Sequence, residues 1–358
     1  MHSRRLILFA LLSAAPLHAQ GFRGRVLAAD SSAVTGAIVA LVDPAGTTVA
    51  RTLTSPIGSY LVRAPLAGRY HLRVLRIGFA AFEAPPMDLA AGSSVEYSPL
   101  LPDTPIVLND IEITAGGACR AGGDEAGAAA TLLEEVRKAF GVMDLALRDR
   151  DLRFQVFRYV RRIGKDQTVS AADSAVQSLT TWPVQSLPAE LLRDHGFVQS
   201  SDSVDPALFP NAEPGSRIWF GPDPSTLFAD AFLASHCYRT LIDPADHDRL
   251  GLAFAPIHGR RLADIEGTLW IRRPTLALER LEYRYVNLPR HIAIDRADPL
   301  GGTMEFVRLP NGLWVVSRWD LRAPIERVRN FIPTGVAGYL EEGGRIRSIR
   351  TSQGTVIY

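Results

Sequence analysis

The residues best suited to metal or nucleophilic chemistry in this 358-residue chain are eight histidines and two cysteines. None of the histidines has Glu three residues later, and no His-Glu-x-x-His occurs, so the ligand spacing of a zinc peptidase is missing. No Gly-x-Ser-x-Gly elbow presents a nucleophilic serine, and no Gly-x-x-x-x-Gly-Lys loop cradles a phosphate. Three local clusters remain. Asp243-x-x-Asp246-His247-Asp248 gathers carboxylates that could hold calcium, but it lacks the Gly and distal Glu of an EF-hand loop and reads as a solvated turn. Trp219-Phe220-Gly221-Pro222 sets two aromatics beside a rigid turn, a candidate stacking platform for a sugar or a partner's side chain, with core packing as the alternative. Arg260-Arg261 and Arg272-Arg273 could form a basic rim, although nearby Glu and Asp argue for ordinary surface pairs. The expectation is no catalytic residue, no cofactor and no metal.

The cysteines are read through their compartment. Met1-His2-Ser3-Arg4-Arg5 is followed by an apolar run from Leu6 to Leu17 and then His18-Ala19-Gln20. A basic start, a short apolar stretch and a small residue predict a secretory signal peptide over residues 1–19, cleaved after Ala19. The run is too short to span about 30 Å of hydrocarbon comfortably, and no later stretch does better, so no transmembrane segment is expected in the mature chain. The expected location is the periplasm or the outer-membrane or cell surface. An oxidising compartment favours a disulfide between Cys119 and Cys237. It would close a loop of roughly 120 residues, worth on the order of 4–5 kcal/mol in the chain-entropy view. Two free thiols are one alternative. A metal site using His236 is another, though it falls short of four-ligand spacing.

Composition narrows the classes further. Hydrophobic residues make up 47% and charged residues 22%, which excludes global disorder. Lys+Arg 39 against Asp+Glu 38 gives no dense basic face for nucleic acid. Length implies two domains.

Residues 20–114 carry short alternating runs: Gly24–Leu27, Ala37–Val42, Ser59–Val62, Tyr70–Val74 and Ser94–Tyr97. Turn residues at Asp43–Gly46, Ser55–Gly58 and Pro65–Arg69 break them, which predicts an antiparallel β-sandwich. A Gly/Ala-rich stretch over 115–130 reads as a linker. Leu132, Leu133, Val136 and Phe140 then share a helical face, with Gly141 as a candidate cap. Beyond it the period becomes two, with a strand candidate at Phe154–Val160 and a helix expected near Leu227–Ser235. Hairpins are predicted at Arg273-Pro274 and Pro310-Asn311-Gly312, and another over Glu341–Gly344. Residues 168–256 look irregular, the kind of segment where a binding surface sits. The fold class is therefore mainly β: a sandwich plus a C-terminal antiparallel-sheet domain (131–358) with one or two helices.

The order of Gly24-x-Val26, Gly36-Ala37-x-Val39-x-Leu41, Thr52-x-Thr54-x-x-x-Gly58-Ser59-Tyr60, Gly68-x-Tyr70-x-Leu72-x-Val74 and Gly78-Phe79 resembles the carboxypeptidase regulatory-like domain, a transthyretin-like sandwich. The resemblance implies that fold and no catalytic residues; Ser55 stands where the pattern often has Asp. Gly267–Tyr285 is similar to the strand pairs of LolA-like half-barrels, whose concave face shields an acyl chain.

The leading expectation is a non-catalytic exported envelope protein that binds a surface glycan or protein. One alternative is a periplasmic lipid carrier whose apolar face would use Trp270, Leu281, Tyr283, Phe306, Trp314 and Val316; a helix from Thr131 covering them would remove its cavity. The other is a hydrolase of unrecognised type.

Overall fold

In a computed structural model of the chain the described residues are 20–102, 125–148, 152–207, 214–273, 275–289, 292, 300–329, 332–351 and 354–358. The expected signal peptide and Cys119 lie outside them. Strand makes up 54% and helix 12%, so the protein is mainly β.

The N-terminal unit holds β1 (Gly21–Arg25), β2 (Leu27–Ala28), β3 (Ile38–Val42), β4 (Thr48–Leu53), β5 (Ser59–Arg63), β6 (Gly68–Leu75), β7 (Phe82–Glu83), β8 (Met87–Leu89), β9 (Ser94–Glu96) and β10 (Leu100–Leu101). One layer is β5-β1-β9; the other is β4-β3-β6-β7, with β8 also on β6. Most pairings are antiparallel, but β9 joins β1 and β10 joins β2 in parallel. Alternate residues from the two layers, among them Phe22, Val39, Leu41, Leu72 and Val74, are fully buried between them. Gly58 has φ +76°, and a Cβ there would meet the Val26 carbonyl at 2.6 Å, so this hairpin needs glycine.

Helix α1 (Glu125–Arg148) follows. It starts inside the stretch expected to be linker, because Ala126 and Ala128–Ala130 are strong helix formers whatever their low complexity suggests. Gly141 is not its cap. It lies within the helix, where a Cβ would come to 3.1 Å from Ile38 of the sandwich, so it permits close approach of the two units.

The rest is a nine-stranded antiparallel sheet. Its strands are β11 (Leu152–Gly164), β12 (Val169–Leu179), β15 (His236–Asp243), β16 (Asp246–Pro256), β17 (Asp264–Arg272), β18 (Ala277–Val286), β19 (Gly301–Arg308), β20 (Trp314–Arg329) and β21 (Ile332–Thr351), in the order β12-β11-β21-β20-β19-β18-β17-β16-β15. Between β12 and β15 the chain forms α2 (Ala189–His195), the short pair β13 (Val198–Ser200) and β14 (Arg217–Trp219), α3 (Pro224–Leu227) and α4 (Asp230–Leu233). The two hairpins expected at 273–274 and 310–312 join β17 to β18 and β19 to β20.

Two further expectations fail for physical reasons. Residues 168–256 are not irregular throughout: β12 fills 169–179, and β15 and β16 fill most of 236–256. As an edge strand, β12 is exposed from Val169 to Ser178, so it lacks the apolar alternation of a half-buried strand. Glu341–Gly344 is not a turn but the middle of β21. A Cβ on Gly343 would sit 2.8 Å from the Tyr159 hydroxyl, and one on Gly344 would sit 2.6 Å from the Trp319 ring. The glycine pair makes room for two rings lying across the strand.

One face of the sheet packs on α1. Leu132 and Val136 are fully buried, and Phe140 stacks on Phe228 at 5.0 Å and meets Phe306 edge-on at 5.5 Å. Of the six residues proposed for a carrier's apolar face, Leu281, Tyr283, Phe306, Trp314 and Val316 are buried in this same core. Trp270 is not among them. It pairs with Arg280 while its neighbour Leu269 pairs with Leu281, so the pleat turns Trp270 to the other face.

The opposite side of α1 holds the sandwich. Glu135 and Lys138 form a buried ion pair; Gly78 N–H donates to Glu135 at 2.9 Å, and the Lys138 ammonium donates to the Phe79 carbonyl at 2.9 Å. Because Phe140 fills the space between helix and sheet, Phe140→Ala should lower stability by about 3–5 kcal/mol, read as a shifted urea midpoint with little change in slope.

Candidate functional site

The sites singled out from sequence resolve differently. Phe220 is 6% exposed and belongs to the core, so it is no stacking platform. Trp219 is half-buried, its ring edge-on to Tyr285 at 4.8 Å. The Tyr285 hydroxyl donates to the Phe220 carbonyl at 3.0 Å, so this turn is docked onto the inner sheet face. The Asp243–Asp248 cluster is the β15–β16 turn. Arg249 bridges Asp243 (3.0 Å) and Glu279 (2.9 Å), and Arg272 bridges Asp246 (2.8 Å) and Glu279 (2.6 Å). Hydrogen bonding to Arg272 holds the Asp246 carboxyl below the usual range. Asp243 and Asp246 are thus neutralised by arginine, and no metal-binding group of His, Cys, Asp and Glu occurs among the described residues. Cys237 lies on β15; its expected partner Cys119 is outside the described residues.

Among the described residues His236 is the most engaged histidine. Its Nε2 lies 3.1 Å from Asp264, its Nδ1 3.1 Å from the Ser235 hydroxyl, and its ring stacks on Phe232 at 3.7 Å. Arg260 pairs with the other oxygen of Asp264 and donates to the Arg193 and Leu192 carbonyls. The series Ser235, His236, Asp264 resembles a hydrolase relay in residue type only. All three are under 5% exposed, and the serine hydroxyl also lies within hydrogen-bonding distance of the Ala231 and Phe232 carbonyls. It fastens α4 and α2 to the edge of the sheet.

Accessible concave surface is found on the face away from α1. Register places Phe157, Tyr159 and Arg161 of β11, Thr303 and Glu305 of β19, Arg318 and Asp320 of β20, and Arg345 of β21 on this side, since directly paired residues share a face. They line an open cleft of about 360 Å³, whose floor also includes Trp319 and Gly344, although the pleat turns these two toward the inner face. The rings are fixed from below and beside: Tyr159 lies over Gly343, Arg161 stands 4.6 Å from the Tyr159 ring centre, and Arg345 stands 5.7 Å from that of Phe157. Burial, then the Glu341 and Asp320 charges, push the Tyr159 phenol up, and its hydrogen bond to Glu341 acts in the same direction. Asp320 accepts from Thr303 N–H at 3.1 Å and from the Thr303 hydroxyl at 2.6 Å. A small cleft with flat rings, hydroxyls and fixed charges can hold a polar ring-shaped ligand. Sequence reasoning missed this site: the alternation Phe157-x-Tyr159-x-Arg161 was visible, but its pairing with β21, nearly two hundred residues away, was not.

Comparison with known proteins agrees with the N-terminal reading. Residues 21–101 match the carboxypeptidase regulatory-like domain, and the strands of this unit also end at Leu101. Among curated proteins nothing matches the chain. Among solved structures, a DUF1329 family protein from Desulfovibrio piger is 13% identical, covering 65% of this chain and 95% of its own, with TM-score 0.30. A LolA superfamily protein from Nitrosomonas europaea is 13% identical over 58% of this chain and 93% of its own, with TM-score 0.23. A candidate carbohydrate-binding protein from Bacteroides uniformis is 10% identical over 70% and 98%, with TM-score 0.20. Scores this low carry no functional argument. No described helix is long and apolar enough to cross a membrane.

Burial works to raise the Asp264 carboxyl, but His236 and Arg260 outweigh it and leave it below the usual range. A depressed carboxyl contributes stability that is complete above its unfolded value and lost as pH falls below about 4. Asp264→Asn should therefore cost about 3 kcal/mol or more at pH 7 and flatten the acid limb of the stability profile, as measured by urea unfolding across pH 3–7.

Proposed function

We propose that this is an exported, non-catalytic protein of the cell envelope that binds a surface glycan through the cleft on the outer face of its large sheet. The observation that carries this reading is the cleft itself, in which the Phe157 and Tyr159 rings are held beside charged and hydroxyl groups. The signal sequence at residues 1–19 sends the chain to the periplasm or cell surface, and Cys119 pairs with Cys237 there. The sandwich serves as a docking unit locked to the sheet domain through α1. Nothing favours the carrier alternative, because α1 covers the apolar face it would need.

Titration calorimetry against saccharides released from the envelope of the source cell tests the reading. Binding should weaken about tenfold or more in Tyr159→Ala and in Phe157→Ala, with circular dichroism unchanged. Equal affinity in both variants, or hydrolysis of the bound saccharide by the pure protein, would overturn it. Intact mass of the mature, non-reduced protein should show the two-hydrogen deficit of one disulfide; the full thiol mass would contradict the pairing.

A further inference from the structure

We infer that the ligand of the outer-face cleft is an acidic saccharide, its anionic group held by Arg318 and Arg345 while a sugar ring lies on Phe157 or Tyr159. This rests on the glycan-binding reading above and adds the charge of the ligand.

Arg318 on β20 is the direct cross-strand partner of Arg345 on β21, which in turn is the direct partner of Phe157 on β11. Two like charges facing each other across a strand pair are destabilising. Several arginines of the sheet are paired off: Arg249 and Arg272 each hold two carboxylates, Arg280 pairs with Glu282, and Arg284 pairs with Glu266. Arg161, at the rim of the cleft, reaches Glu341 at 3.5 Å. Arg318 and Arg345 differ: among the described residues neither has an ion pair or hydrogen bond to a side chain.

The acids beside them do not supply the missing charge. Asp320 is committed to the Thr303 amide and hydroxyl. Glu305 is opposite Arg318 in register yet makes no ion pair with it, which leaves its carboxylate to accept a sugar hydroxyl. Contact with the Phe157 ring holds Arg345 in place, so the second cation is oriented before any ligand arrives. Two adjacent, exposed, unpaired guanidinium groups match an anion. The neighbouring rings and the cleft volume of about 360 Å³ match one or two pyranose units rather than a polymer duplex or an acyl chain.

The full-length mature protein would be titrated with trigalacturonate, with neutral galactotriose and with a phosphorylated glucose, each at low and high salt. The acidic sugars should bind at least about tenfold more tightly than the neutral one, and the difference should shrink as salt rises. Trigalacturonate tighter than the phosphosugar assigns the anion as a uronate; the reverse order assigns it as a phosphate, and either supports the inference. Arg318→Gln with Arg345→Gln should abolish the acidic preference, whereas Arg284→Gln, outside the cleft and already paired with Glu266, should keep it. Equal binding of neutral and acidic sugars, or a preference untouched by the double variant, would overturn the inference while leaving glycan binding in place. Binding of no saccharide at all would overturn the glycan reading along with it.

Discussion

Helix α1 is apolar on one side and carries a buried ion pair on another, and both sides must be covered at once. Leu132, Val136 and Phe140 would lie in water without the sheet, and Glu135 and Lys138 would lack partners without the sandwich turn at Gly78-Phe79. A buried pair of this kind is weak as a source of stability, since desolvation offsets most of the attraction. Its amide and carbonyl contacts are directional, however, so it selects one seating of the sandwich among many that hydrophobic contact alone would allow. Gly141 and Gly36 extend that fit, the first against Ile38 and the second against the Asn311 carbonyl at 2.8 Å from where a Cβ would stand.

Filling the inner face decides where a ligand can go. The residues that looked like a lipid-binding surface are there, but the aromatic cluster of Phe140, Phe228 and Phe306 closes over them. What remains open is the polar side of the same strands. There the sheet depends on Gly343 and Gly344, which leave room for Tyr159 on the outer face and Trp319 on the inner face beside one strand. The core and the cleft are therefore two sides of one construction: the ring that closes the inside and the ring that lines the outside share a glycine pair.

Much of the fold was legible in the sequence because it was written locally. The sandwich strands, their glycine turns and the β17–β18 and β19–β20 hairpins are short-range patterns, and they lie where the alternation and turn residues put them. The failures share a cause in long-range context. β12 has no apolar face to signal because neither side is covered. Gly343-Gly344 imitates a turn because the rings it accommodates come from strands far away in the chain. Phe220 looked available until Tyr285 was seen to hold its backbone. The cleft was hidden for the same reason, since Phe157, Arg318 and Arg345 meet only through pairing of β11, β21 and β20.

The central claim is that ligand binding belongs to the outer face of the sheet and not to the space beneath α1. A crystal structure of the mature protein grown with trigalacturonate tests this most directly. A sugar ring should lie against Phe157 or Tyr159 with its carboxylate on Arg318 and Arg345. Saccharide seated elsewhere with the cleft empty, or an acyl chain lodged between α1 and the sheet, would contradict it.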